Sequence, residues 1–316
     1  MTVNVHAEQL RERLPITVPA SSERLRALRF FLRRRTAVVG ALLVIAYLLI
    51  ALFAPVLSRR DPQVLDVQAR LSAPSAQHWF GRDDVGRDVW SRVIYGTRLS
   101  FVVGTSVVFL SVLGGLAAGL AGGYYRRLDD VLMRVMDGLM AFPGIVLAIA
   151  LVAALGPSVV NVITALAVVY IPRVARLVRG SVLVVRETPY VEAARALGIP
   201  DLRVVVRHVL PNCLSPVLVQ GTFIFAAAVL GEAALSFLGL GVPPQVPSLG
   251  NVLAEGRLYL HQAPWLTLFP GAAIMAVILG LNLFGDGLRD LLDPKLRSDG
   301  VEKLSGPASG PRGASR

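Results

Sequence analysis

Five intervals of the chain contain no Asp, Glu, Lys or Arg: Arg35 to Arg59, Arg98 to Arg126, Asp137 to Arg173, His208 to Glu232 and Arg257 to Asp286. A helix needs ~20 apolar residues to cross the hydrocarbon of a bilayer, and every interval is long enough. A soluble protein could hold one such run as a core helix, but five require another apolar environment. Backbone groups in lipid must find partners within their own segment, so the spans are helices. The first is expected over 37–57 and the second over 100–122, where Gly115 and Gly119, with Gly122 and Gly123 beyond, form a small-residue face for a close helix neighbour. The run from Gly138 to Pro172 is interrupted by Gly156, Pro157 and Ser158, turn formers that divide it into a third and a fourth span joined by a tight hairpin. The fifth is placed at 214–238 and the sixth at 266–284. The expected fold class is an all-α integral membrane protein with six transmembrane helices.

Charge adds direction. The net charge is +11, which in a soluble chain would raise nucleic acid as a partner. Here the arginines flank apolar runs and follow the rule that basic loops stay inside, so no nucleic acid is expected. The basic tail 1–36, the Arg126–Arg127 loop, the loop 179–212 and the tail 291–316 are therefore placed in the cytoplasm of a bacterial or archaeal cell, with both termini inside. The first apolar run exceeds the ~7 to 15 residues of a signal-peptide core, and it is read as an uncleaved anchor. The tail beyond about 299 has no apolar periodicity and is expected to be disordered.

The loop 58–99 dissents, carrying Arg59, Arg60, Arg70, Arg82, Arg87, Arg92 and Arg98 although the topology puts it outside. Asp61, Asp66, Asp83, Asp84 and Asp88 offset much of that charge, and long loops translocate with less regard for it. Within the loop Val85, Val89, Trp90, Val93 and Ile94 recur at helical spacing opposite Arg87, Asp88 and Arg92. This predicts an amphipathic helix along the outer interface, or a packed surface helix.

The segment from Thr188 to Asn212 is punctuated as two short helices. Thr188 is a candidate N-cap, Pro189 sits at the first helical position, and Gly198 with Pro200 ends the helix. Asp201 is a candidate cap for a second helix ending at Leu210 and Pro211. A helix of eight small and apolar residues is too short to be stable alone and needs a partner surface.

Glu192, Ala193 and Ala194, then Gly198, then Leu210 and Pro211 resemble the loop motif of binding-protein-dependent ABC importer permeases. The resemblance implies a type I importer transmembrane fold, with a five-helix permease core at 100–290, and a coupling helix bearing Glu192, Ala193, Ala194, Leu197 and Gly198 that docks in an ATPase subunit. The stretches WFGRDDVGRDVWS (79–91), PSLGNVLAEGR (247–257) and GDGLRDLLDPKL (285–296) are similar to the dipeptide, oligopeptide and nickel branch, specifically to its second permease subunit. Arg82 and Leu249 depart from that pattern, standing where a small polar residue and a tryptophan are expected.

Lys295 and Lys303 are the only lysines and neither follows a glycine-rich turn, so no phosphate-binding P-loop is expected. Four scattered histidines and a lone cysteine, Cys213, give no metal or disulfide pattern. The chain is thus read as no enzyme and as carrying no cofactor. The resemblance implies that ATP and Mg are held by two partner ATPase subunits, alongside a second homologous permease and an extracytoplasmic solute-binding protein. Glu232 is the one acid inside an apolar stretch; it could contact solute or make a structural hydrogen bond or ion pair. An ion-coupled secondary transporter would favour broken helices and midplane acids, and neither is evident.

Overall fold

The structure is a computed structural model that describes residues 34–292. The expectations for the two tails, Lys295 and Arg297 included, fall outside the described residues. Among those described, the regular structure is helical: α1 (Arg35–Leu52), α2 (Val89–Tyr124), α3 (Arg126–Met140), α4 (Gly144–Leu155), α5 (Val159–Val185), α6 (Pro189–Ala196), α7 (Leu210–Phe237), α8 (Leu249–Gly256) and α9 (Trp265–Leu292). Helices over 35–52, 89–124, 159–185, 201–237 and 265–292 are long and apolar enough to cross a membrane.

The third span departs from expectation. α3 and α4 meet at 90°, because Pro143 forces Phe142 away from helical geometry. α4, at 12 residues, is only about 18 Å long, short of a bilayer's ~30 Å. The hairpin at Gly156 is present, with Gly156 at φ +90° and Ser158 capping α5 through the Asn161 N–H. α5 continues past Arg173 to Val185.

The expected interfacial helix does not exist as a separate element. The second span begins at Val89, capped by Asp88 through the Ser91 N–H, and runs without interruption to Tyr124 over 36 residues. Its Arg87–Asp88–Arg92 side is not a wetted face, since Asp88 and Arg92 are both buried. The short α8 folds back over this end of α2 and supplies a counter-charge.

The core lies along α2, α5 and α7. Gly104, Gly115, Gly119 and Gly123 let α2 approach its neighbours: a Cβ at Gly119 would stand 2.6 Å from the Ala175 carbonyl oxygen and from Val178 Cβ, and one at Gly123 2.7 Å from Val182 Cβ. Val103, Val107, Val174, Val178, Val182 and Ile224 fill the space between the helices. Close approach of small residues substitutes for the hydrophobic drive that lipid cannot supply.

The chain's loops gather at two ends of the bundle. At one end lie Tyr124, the 186–212 segment and the Arg34–Asp290 ion pair. At the other lie the 58–88 loop and the 239–264 segment, bridged by Gln63 Nε2 to the Gln245 carbonyl. Such grouping is what successive crossings in alternating directions require.

Candidate functional site

α6 lies in the first set of loops. Pro189 occupies its first turn, and Gly198 closes it at φ +75°, a left-handed conformation that other residues adopt only with strain. Thr188 stands at the N-cap position, but its hydroxyl donates to the Val185 carbonyl at 2.6 Å instead of capping α6.

The helix has two unequal faces. Val191 and Ala194 are buried in the main core beside Val204, Val205 and Val209. Glu192, Ala193 and Gly198 are exposed, and Leu197 is 81% exposed. Ala194 therefore anchors the helix, while the other four residues expected at the coupling site form its free surface. That surface carries one acid, small residues and a projecting leucine.

The exit from α6 differs from expectation in a way that bears on function. Asp201 is itself in the first turn of the next helix, with Pro200 before it, so its side chain caps nothing. Its Oδ1 instead accepts the Tyr124 hydroxyl at 2.7 Å. Nor does the helix end at Leu210–Pro211: it passes through a π turn at Val205–Val209 straight into α7. Pro211 has no N–H and its ring would clash with a carbonyl one turn back. Widening the turn absorbs that misfit, with the Leu210 N–H donating to Val205.

Tyr124 ties α6 to the end of α2. Its hydroxyl receives Arg195 Nε at 3.3 Å, and the Arg195 guanidinium stands 4.8 Å from the ring centroid. Arg186 donates to the Gly123 carbonyl at 3.0 Å, and Asn212 Nδ2 to the Tyr190 hydroxyl at 3.3 Å. The tie at Tyr124 was not legible from the sequence; the tyrosine's place at the end of a long apolar helix was its only signal.

The opposite end holds a second polar assembly. Arg92, 1% exposed, donates to Asp83 Oδ2 at 2.6 Å and through Nη2 to Glu255 Oε1 at 3.1 Å. Arg87 joins the same two acids at 2.6 and 2.9 Å. Asp83, Asp84 and Glu255 lie within ligand distance of one another, but the carboxylates of Asp83 and Glu255 are already paired with Arg87 and Arg92. Burial, with Asp83 and Glu255 nearby, raises the Asp84 carboxyl above its ordinary range, whereas the hydrogen bond from Arg82 lowers that of Asp66. Arg82 also meets His78 Nε2 at 2.8 Å. Leu249, in place of the expected tryptophan, is fully buried against Gly96.

Glu232 is fully buried and makes hydrogen bonds, not an ion pair. It accepts from Ser236 Oγ at 2.9 Å and Ser100 Oγ at 3.5 Å. Ser236 Oγ accepts the Val242 N–H at 3.2 Å. Asn251 Nδ2 gathers the Val242, Pro243 and Val246 carbonyls at 3.1, 3.2 and 3.3 Å. Glu232 thus joins α2 to α7, and Asn251 fastens α8 to the segment that follows α7.

Comparison with known proteins agrees with this anatomy. Residues 111–298 match the family described as binding-protein-dependent transport system inner membrane component. Residues 24–74 match the N-terminal transmembrane domain of oligopeptide transport permease C. A permease protein of Brucella suis biovar 1, named for a peptide transport system, is 51% identical over 86% of this chain and 92% of its own. The dipeptide transport system permease DppC of Alkalihalophilus pseudofirmus is 46% identical over 84% of this chain and 88% of its own. The glutathione transport system permease GsiD of Pectobacterium atrosepticum is 42% identical over 85% and 90%. A solved chain of an amino acid ABC transporter superposes with TM-score 0.49 at 17% identity over 66% of this chain and 94% of that one. With helices long and apolar enough to cross a membrane, a family match over more than half its length and relatives of up to 51% identity, the chain belongs to the inner-membrane permease components of binding-protein-dependent ABC transport systems.

Proposed function

We propose that this permease forms half of the pathway of a type I importer for peptides or similar small solutes, and that α6 is its coupling helix. The exposed face of Glu192, Ala193, Leu197 and Gly198, held on the core by Val191 and Ala194, carries the reading. Two ATPase subunits bind ATP and Mg, and one of them receives this face. A second homologous permease completes the pathway, and an extracytoplasmic solute-binding protein delivers solute and supplies most of the selectivity. Both termini and α6 lie in the cytoplasm; the 58–88 and 239–264 segments lie outside.

The physical logic is differential binding. ATP closes the ATPase pair, and the permease conformation that best fits the closed pair is favoured by the difference in docking energy. Closure opens the permease pair outward to receive solute, and hydrolysis restores the inward state. This chain contributes helices, a docking face and no bond-breaking chemistry.

The test is purification in mild detergent. The unaltered chain is expected to retain an ATPase subunit in fixed stoichiometry. Leu197→Asp together with Ala193→Arg places charges on the docking face without touching the core, and should lose the ATPase while inserting normally. Retention of the ATPase by that variant, or proton-coupled uptake by the isolated chain, would overturn the reading.

A further inference from the structure

We infer that α2 is the rod that carries movement of the docking helix to the far end of the molecule, with Tyr124 and Arg92 as positioning residues at its two ends; this rests on the coupling role proposed for α6. Four observations carry it.

α2 spans both ends of the bundle. Its 36 residues extend about 54 Å at 1.5 Å per residue. Its inner terminus is fastened to the docking loop by side-chain chemistry, since the Tyr124 hydroxyl bridges Asp201 and Arg195 on either side of Gly198. Its outer terminus is fastened to α8 and to the 66–88 loop, because buried Arg92 binds Glu255 and Asp83 together.

The fourth observation is stiffness. α7 is covalently continuous with the docking loop and would be the simpler transmitter, but it leaves through a π turn and has Pro211 and Pro216 in its first turns. α5 contains Pro172 and α9 contains Pro270. Such positions are where helices bend. α2 contains no proline, and its glycines are backed by neighbours: Gly114, Gly115, Gly119 and Gly123 by α5, Gly122 by α3, Gly104 by Phe225 and Gly96 by Leu249. A displacement at Tyr124 therefore reaches Arg92 with less lost to bending than along the other routes.

At the outer end α8 cannot ignore that displacement. Its first residues lie between the two helices, Leu249 against Gly96 of α2 and Gly250 against the Ala233 carbonyl of α7, while Glu255 near its other end is held by Arg92 of α2 and by Arg87. With α2 in contact at both ends, α8 follows a displacement of α2.

Reporter thiols test this without knowledge of the solute, because Cys213 is buried and silent. In the intact importer, Leu202→Cys reports the docking end and Leu258→Cys, beyond the end of α8, reports the outer end; both leucines are exposed. Maleimide reaction rates are compared without nucleotide and with Mg-ATP plus vanadate. In otherwise unaltered protein both rates should change. Tyr124→Phe keeps the ring and removes the hydroxyl, and should shrink the outer change by about twofold to tenfold, the range for one lost hydrogen bond, while the docking-end change persists. Asp201→Ala should do the same, and Asp201→Asn, which retains an acceptor, should preserve the outer change.

An undiminished outer change in Tyr124→Phe and Asp201→Ala, beside a normal docking-end change, would overturn the inference and leave the coupling role standing. Loss of both changes in these variants would also overturn it, by showing local damage to docking. A docking-end reporter that fails to respond in unaltered protein would instead count against the coupling role itself.

Discussion

A single arginine shows how environment decides the value of a charge. Arg92 is 1% exposed and shared between two acids, whereas the Arg176–Asp137 pair, at 2.5 Å, has side chains 48% and 60% exposed. Removing one partner of a buried pair strands the other and costs about 3–5 kcal/mol; an exposed pair contributes about 0–1 kcal/mol. Arg92→Ala should therefore lower the thermal midpoint of the detergent-solubilised protein sharply, and Arg176→Ala should barely move it. Equal shifts would contradict this assignment. The sequence reading of a two-faced helix from Val85 to Ile94 holds only from Val89 onward, because Asp88 caps the helix there, and it assigned the charged face to water. A better clue was the register Arg92, Gly96, Ser100, Gly104: spaced by four, these share one side of a helix, and the small residues mark that side as the packed one.

The contact between α2 and α5 shows what small residues do for a whole element. Gly115, Gly119 and Gly123 are expected from the sequence to admit another helix, and the structure identifies that helix as α5, through Val174, Val178 and Val182. Overpacking a close contact costs about 1–3 kcal/mol, and more where backbone must move. At Gly119 an added Cβ meets a carbonyl oxygen of Ala175, so Gly119→Leu should separate the two helices and abolish stable expression. Gly138→Ala, at a glycine with open space around it, should be tolerated. Fluorescence-detected size-exclusion profiles of the two variants would distinguish them. The bend between α3 and α4 was missed because Pro143 lies inside an uninterrupted apolar run, where hydropathy reports length and is blind to the geometry imposed by a proline.

For the whole molecule the decisive quantity is which end faces which compartment. Arginine placement argues that α6 is inside, while the structure by itself only sorts the loops into two sets. Because Cys213 is buried, introduced thiols give a clean readout. Leu202→Cys, in the same loop but outside the docking face, should resist a membrane-impermeant maleimide in intact cells and react after lysis, and Gln63→Cys should react in both. Labelling of Leu202→Cys in intact cells would invert the topology and remove the docking role with it.

Sequence alone determined the properties that depend on local composition. Runs without charge demand lipid, the Glu192–Ala193–Ala194…Gly198 punctuation specifies a short helix with a glycine stop, and the motifs place the chain in its permease family. Tertiary structure decided what depends on residues far apart in the chain. It set Glu255 against Arg92, Tyr124 against Asp201, and Ser100 of α2 against Glu232 of α7. The physical reason is the same in each case. Hydropathy and helix periodicity are sums over neighbours in sequence, whereas a buried polar group is satisfied by whichever partner the packing of distant helices brings within about 3 Å.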